Sequence, residues 1–304
     1  MSINIIGAGV AGLCVATELT SRGASVQLFD KQSAIGPHAC SWWAGGMLAP
    51  FCEGETAPEI VTRLGQTSAD WWQAQGVNMI RNGSLVVALG RDRQELDRFA
   101  RRTTHHEMLN EEQFGALEPD LRGRFSRALY FADEAHLAPR EALQVLTRKL
   151  KSRGVEVQTT PAKAAATTID CRGLSARDAL KDLRGVKGEM LLLKCKDINL
   201  SRPLRLLHPR IPIYLVPRGD GVFMLGATMI ESADRSRATV RSVLELLSAA
   251  YALHPAFGEA EILEIGVDAR PAFPNNVPRI SRIENTIYAN GLYRHGFLLA
   301  PALA

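Results

Sequence analysis

An apolar run, Ile3 to Ile6, leads straight into Gly7-Ala8-Gly9-Val10-Ala11-Gly12, and a helix-forming run from Leu13 to Ser21 follows. A second apolar segment, Ser25 to Phe29, ends on Asp30. Short apolar runs bounded by glycine read as strands and the longer run between them as a helix, so the pattern predicts β-α-β over about residues 1–35. A stretch rich in Gly, Trp and small residues, 36–55, comes next. Ala57 to Gln75 then reads as one helix with Trp71-Trp72 near its end. Gly83 to Leu89 predicts a strand, Asp92 to Thr103 a charged amphipathic helix, Asn110 to Glu118 a short helix before Pro119, and Ala128 to Phe131 a short strand. Pro139 is placed to open a helix that Gly154 closes after Arg153. Val155 to Gln158 and Thr168 to Cys171 predict further strands, so β-α-β order returns at 137–175. From 185 to 228 the pattern is largely β, with strands expected at Glu189–Cys195, Ile213–Pro217 and Val222–Gly226. Arg237 to Tyr251 predicts a helix; Glu261 to Arg270 and Thr286 to Asn290 predict strands.

This order implies an α/β protein with a split nucleotide domain (1–50, 137–175 and 285–304) and a β-rich α+β second domain inserted in two pieces (51–136 and 176–284). A substrate pocket is expected between the two. The chain of 304 residues has room for that, and its 46% hydrophobic and 22% charged content is ordinary for a globular protein. The net charge of +4 is scattered. The one dense basic run, Arg98-Phe99-Ala100-Arg101-Arg102, reads as a solvated helix face, so no nucleic-acid partner is expected. No segment approaches the length of a membrane span, and the sequence starts directly in a strand, so neither membrane nor leader is expected. Five dispersed cysteines without CxxC or zinc spacing fit a reduced, cytoplasmic protein with no metal. His105-His106-Glu107 looks metal-like, but adjacent histidines point to different faces. A homo-oligomer is compatible with the sequence and leaves no mark in it.

The strongest chemical signal is G-x-G-x-x-G in its full βαβ context. Gly7 permits the tight turn, Gly9 lets backbone approach a pyrophosphate, and Gly12 lets the helix pack on the strand. Ala8, Val10 and Ala11 complete the turn and carry the unpaired N–H groups of a helix N-terminus, which favour anions. Asp30, with Lys31 after it, closes the second strand where a carboxylate can accept from a ribose diol. The motif by itself does not separate FAD from NAD.

Further segments carry a resemblance. Ser41-Trp42-Trp43-Ala44-Gly45-Gly46-Met47-Leu48-Ala49-Pro50 resembles the flavin-facing loop of the FAD-dependent D-amino-acid oxidase superfamily. Arg184-Gly185-Val186-Lys187-Gly188-Glu189, Tyr214-Leu215-Val216-Pro217-Arg218, Gly226-Ala227-Thr228-Met229, Ala269-Arg270-Pro271 and Gly291-Leu292-Tyr293-Arg294-His295-Gly296-Phe297-Leu298-Leu299-Ala300-Pro301 resemble further motifs of the same superfamily, in order along nearly the whole chain. Within it the set is most similar to the glycine oxidase branch that serves bacterial thiamine biosynthesis.

The resemblance implies noncovalent FAD. It places Ser41, Ala44, Gly45, Gly46 and Met47 beside the flavin ring, with Cys171, Gly173, Arg294, Gly296, Phe297 and Leu298 also at the cofactor and Val157 at the adenine. It implies Arg270 as the clamp for a substrate carboxylate, Arg294 sharing that task or approaching the flavin, Tyr214 adding a phenolic hydrogen bond, and Met229 limiting side-chain size. The implied reaction takes a small amino acid or amine and O2. The neutral amine gives up hydride to flavin N5, an imine leaves, and dioxygen reoxidises the flavin to yield hydrogen peroxide. D-amino-acid, sarcosine or proline-type oxidation, and a flavin-fold protein without turnover, are the alternatives at this point. Two departures stand out. Asp170-Cys171-Arg172-Gly173 replaces the usual Ala-x-Gly, and the helix that starts near Leu298, several turns long in the family, is expected to be short because the sequence ends at Ala304.

Overall fold

The computed structural model describes residues 2–160 and 167–304. Its first sheet has six strands in the order Arg279–Ile283, Thr286–Asn290, Thr167–Asp170, β1 (Ser2–Ile6), β2 (Ser25–Phe29) and Val157–Gln158. All neighbours are parallel except the first pair. Helix α1 (Val10–Ser21) crosses over between β1 and β2 and buries Leu13, Cys14 and Ala16 completely. It starts where Gly9 takes an extended conformation and ends at Ser21, with Gly23 left-handed two residues on at φ +82°. Helix Pro139–Ser152 and the last helix, Gly296–Leu303, pack on the same core.

A nine-stranded sheet forms the other half, built around the long antiparallel pair Arg184–Lys194 and Glu261–Ala272 and the strands Val222–Gly226 and Ile213–Pro217. Helix Val240–Leu253 covers one face and closes a second core around Leu191, Leu215, Leu225 and Phe223. A three-stranded sheet, Met47–Leu48, Ala135–Leu137 and Met79–Ile80, lies beside the flavin-loop motif. Among the described residues, no helix is long and apolar enough to cross a membrane.

Arg279–Ile283 belongs to the first sheet, not to the 176–284 segment's sheet; its side chains are mostly exposed, so no apolar pattern announced it. The region expected as one helix over 57–75 is two, Glu59–Gly65 and Ser68–Ala74, and both pack on the last helix. Gly65 is the reason for the close approach, since a Cβ there would lie 2.8 Å from Leu298. Val61 and fully buried Trp72 thus join the nucleotide-side core, and Trp72 Nε1 donates to the Phe297 carbonyl at 2.8 Å.

Between the sheets, Glu134 is buried; it accepts from the Cys52 N–H at 2.7 Å and from the Ser84 hydroxyl. Burial pushes its carboxyl up to about 7, against the hydrogen bonds from Ser84 and Cys52 that favour the anion. The folded state therefore holds a proton that the unfolded chain releases near pH 4.5. Stability should fall as pH rises from about 4.5 to 7 and then level off, by about 3 kcal/mol from this group. Glu134→Gln should remove that slope. Urea unfolding at pH 5 and pH 8 checks it: the drop between the two should be smaller in the variant by about 2 kcal/mol. An unchanged drop would mean Glu134 is already ionised at pH 5.

Candidate active site

The carboxyl ends of five parallel strands converge on one cavity of about 620 Å³. Gly7 follows β1, Asp30 follows β2, and Thr159, Cys171 and Asn290 lie at or just beyond the ends of the other three, all lining the cavity. Ligands of open parallel sheets bind in this crevice. The opposite wall comes from the nine-stranded sheet and its loops, through Gly188, Met190, Tyr214, Ala227 and Asp268 to Pro271.

The three glycines of the turn have different causes. Gly7 has φ +102°, and a Cβ there would meet the Cys171 carbonyl at 2.6 Å. A Cβ on Gly12 would strike the Gly7 carbonyl at 1.8 Å. Both are required by the fold. Gly9 is not: its backbone (φ −73°, ψ −175°) suits any residue, and the nearest atom to a Cβ would be Ser41 Oγ at 3.5 Å. Its missing side chain faces the cavity, which is the space a pyrophosphate at a helix N-terminus needs. The volume also suits a large, elongated ligand, so the residues present fit FAD.

Asp30 points into the turn: one carboxylate oxygen accepts the Ala8 N–H at 2.6 Å, and the other lies 3.4 Å from His38 Nε2. Ser41 accepts the Val10 N–H at 3.3 Å, so the flavin-loop motif is tied to the start of α1 as well as lining the cavity. Behind Ser41, Arg218 of the second sheet donates to the Gly45 carbonyl at 2.6 Å, and Arg140 pairs bidentately with Glu264 at 2.8 Å while lying over Trp42 and Trp43. Burial lowers the Arg218 guanidinium to about 10, with Arg140 adding to the effect against the opposing influence of Tyr214. These contacts fix a glycine-rich loop that has few side chains of its own to hold it. Cys40 lines the cavity with its thiol pushed up to about 12, chiefly by burial.

The departure at 170–173 is a charge pair. Asp170, nearly fully buried, accepts from Arg172 Nε at 2.7 Å, and the Arg172 guanidinium turns its other face to Asp178 in a bidentate pair at 3.0 Å. Cys171 and Gly173 still line the cavity, as do Val10, Ala11, Lys31, Ala44, Gly45, Gly296 and Phe297. Val157 does not. It pairs with Leu28 at the sheet edge and packs on the core, while Thr159 and Thr160, just beyond it, reach the cavity.

A smaller cavity of about 110 Å³ adjoins the first through Ala44, Gly45, Tyr214, Ala227, Arg270 and Arg294, and Gly46, Met47, Met229 and Leu298 also line it. Tyr214 lies between two glycines: a Cβ on either Gly45 or Gly226 would come within 2.8 Å of its ring. Arg270 is seated by a third, Gly188, whose Cβ would lie 2.2 Å from the guanidinium. Arg270 Nη1 donates to the Thr228 carbonyl at 3.1 Å, and among the described residues it has no carboxylate partner.

Arg294 is different. Its Nη2 pairs with Glu53 at 2.5 Å and donates to Thr56 at 3.2 Å, while the residue lines both cavities. Glu53 also takes Arg205 at 2.6 Å and lies 3.5 Å from His295 Nδ1. Burial opposes the charge on Glu53, yet Arg294, Arg205 and His295 hold its carboxyl well below the usual range. Burial holds the His295 imidazole down at about 4, so it is neutral near pH 7. Met229 is half exposed, its sulfur 3.5 Å from the Tyr293 hydroxyl and 3.7 Å from Arg294 Nη1. Sequence reasoning missed Glu53, Arg205 and His295 because the partners lie 152 and 241 residues apart along the chain.

A dinucleotide-sized crevice with an arginine-bearing second sheet across it is the architecture of a nucleotide-dependent oxidoreductase. The chain belongs to the FAD dependent oxidoreductase (DAO) family, whose model matches residues 2–304. It is 52% identical over 309 residues to a Rhizobium etli protein whose name, thiamine biosynthesis oxidoreductase ThiO, is itself provisional; the match covers 100% of this chain and 94% of that one. It is 29% identical over 339 residues to a glycine oxidase of Pseudomonas aeruginosa, covering 98% of this chain and 91% of the relative. A crystal structure of glycine oxidase from Geobacillus kaustophilus superposes with a TM-score of 0.84 at 19% identity, over 99% of this chain and 91% of that one, which establishes the shared fold.

Proposed function

We propose that the protein is a glycine oxidase that binds FAD noncovalently and supplies the imine of glycine for thiazole formation in thiamine biosynthesis. The observation that carries the reading is Arg270, a guanidinium without a carboxylate partner among the described residues, where the two cavities meet. Similarity to the Rhizobium etli protein and to the glycine oxidases supports the pathway and the substrate. The large cavity takes FAD, with the Gly7–Gly12 turn at the pyrophosphate, Asp30 at the adenosine ribose, and the 41–47 loop and 294–298 at the flavin. The absence of a need for covalent attachment, and the half-buried Cys40 thiol whose pKa is pushed up to about 12, favour noncovalent binding.

In this reading Arg270 binds the glycine carboxylate through guanidinium N–H groups that the Thr228 carbonyl does not take, and the Tyr214 hydroxyl adds a donor. Together they point the α-carbon towards the large cavity, converting a bimolecular encounter into a positioned one. Met229 and the ring of Tyr214 leave little room for a side chain. The positive charge of Arg270 favours an amine bound in its neutral form, because it penalises a substrate ammonium. No side-chain base is then required. Bound FAD supplies the two-electron acceptor and, through dioxygen, the route to hydrogen peroxide. The split into a nucleotide-binding part and a substrate part follows from the same assignment.

Oxygen uptake with glycine, sarcosine, D-alanine and D-proline tests the substrate. Glycine should give the highest kcat/KM, with hydrogen peroxide formed one for one with oxygen consumed. D-alanine or D-proline turning over tenfold better than glycine would move the protein to another activity of the family.

A further inference from the structure

The small cavity is lined by Arg205, Arg270 and Arg294 but by a single carboxylate, Glu53. The carboxylate is shared unevenly: its two oxygens take Arg205 and Arg294, and Arg270 gets neither. Glu53 sits at the end of the short helix Pro50–Glu53, directly after the loop at the large cavity. Arg205 comes from strand Leu204–Leu207 of the second sheet, and Arg294 from the turn before the last helix. One side chain therefore commits two guanidinium groups that arrive from opposite halves of the molecule.

We propose that Glu53 is a positioning residue that sets substrate class: by holding Arg205 and Arg294 it leaves Arg270 as the free guanidinium, and so admits amino acids with one acid group while rejecting those with two. The inference rests on Arg270 as the carboxylate clamp. A second carboxylate entering the cavity would have to compete with Glu53 for the two guanidinium groups that it holds through their Nη2 atoms, beside a like charge on Glu53. Displacing a partly buried, hydrogen-bonded ion pair is costly, and discrimination by a built-in repulsive group is a general route to specificity. Glu53 holds Arg205 through Nη2 alone, and among the described residues its buried Nε has no partner.

Acetate and malonate serve as probes, their binding read from the perturbation of the flavin absorption bands of the FAD-loaded protein. In the wild type malonate should bind no more tightly than acetate. In Glu53→Gln the preference for malonate over acetate should rise at least tenfold, because Arg205 and Arg294 are released. In the double variant Glu53→Gln, Arg205→Met the preference should fall back towards the wild-type value, which a general loosening of the site would not produce. Malonate binding tenfold tighter than acetate in the wild type overturns the proposal without any variant. Acetate that binds while the preference is the same in wild type and Glu53→Gln also overturns it and leaves Arg270 standing. Acetate that does not perturb the flavin at all overturns the clamp itself.

Discussion

Arg270→Ala is expected to raise KM for glycine by about 10²–10³-fold while the protein keeps its FAD. Truncating one partner of a buried charge-assisted pair costs about 2–5 kcal/mol, or about 30- to 5,000-fold, and the expected change lies inside that span. The substitution removes a group that holds little of the protein together, since its hydrogen bond goes to the Thr228 carbonyl and it makes no ion pair among the described residues. It leaves a hole beside Gly188, not an unpaired buried charge, so the fold should survive. Arg294→Ala should behave otherwise, because it strips Glu53 of a partner and disturbs the Arg205 contact as well. Steady-state kinetics with glycine, together with the visible spectrum, check the first variant. Unchanged KM would remove Arg270 from substrate binding.

Gly9→Val is expected to abolish FAD binding, a loss of at least about 100-fold in affinity, in a protein that still folds. The cause is steric and specific to this glycine. A helix N-terminus binds a pyrophosphate only if backbone N–H groups can approach it, and a branched side chain at Gly9 would fill that space. The backbone angles at Gly9 allow valine, and the nearest protein atom to its Cβ would be at ordinary contact distance. The same change at Gly7 or Gly12 would collide with backbone and unfold the turn, so neither separates ligand from fold. Circular dichroism should match the wild type while the purified variant is colourless. A folded, yellow Gly9→Val protein would show that the cofactor lies elsewhere.

Much of this was legible in the sequence where local pattern and fold agree. The β1-α1-β2 unit, and the strands Ile213–Pro217, Val222–Gly226 and Thr286–Asn290, have apolar runs with clear boundaries and appear where the pattern places them. Arg279–Ile283 carries no such pattern because its side chains are mostly exposed, and the break after Gly65 depends on Leu298, far along the chain. The site divides the same way. Arg270, Tyr214 and the glycine turn were visible as motifs. The different states of Arg270 and Arg294 were not, since both are arginines in apolar motifs and only folding brings Glu53 to one of them. The unusual Asp170 likewise makes sense only once Arg172 and Asp178 are seen to pair around it.

The proposed site holds FAD in one cavity with glycine positioned against it by Arg270, and anaerobic addition of glycine to the purified protein, followed by visible absorption, tests both at once. The expected result is an oxidised flavin spectrum that bleaches with glycine and recovers when air is admitted. A flavin spectrum that glycine leaves unchanged at saturating concentration would contradict the assignment of glycine as substrate.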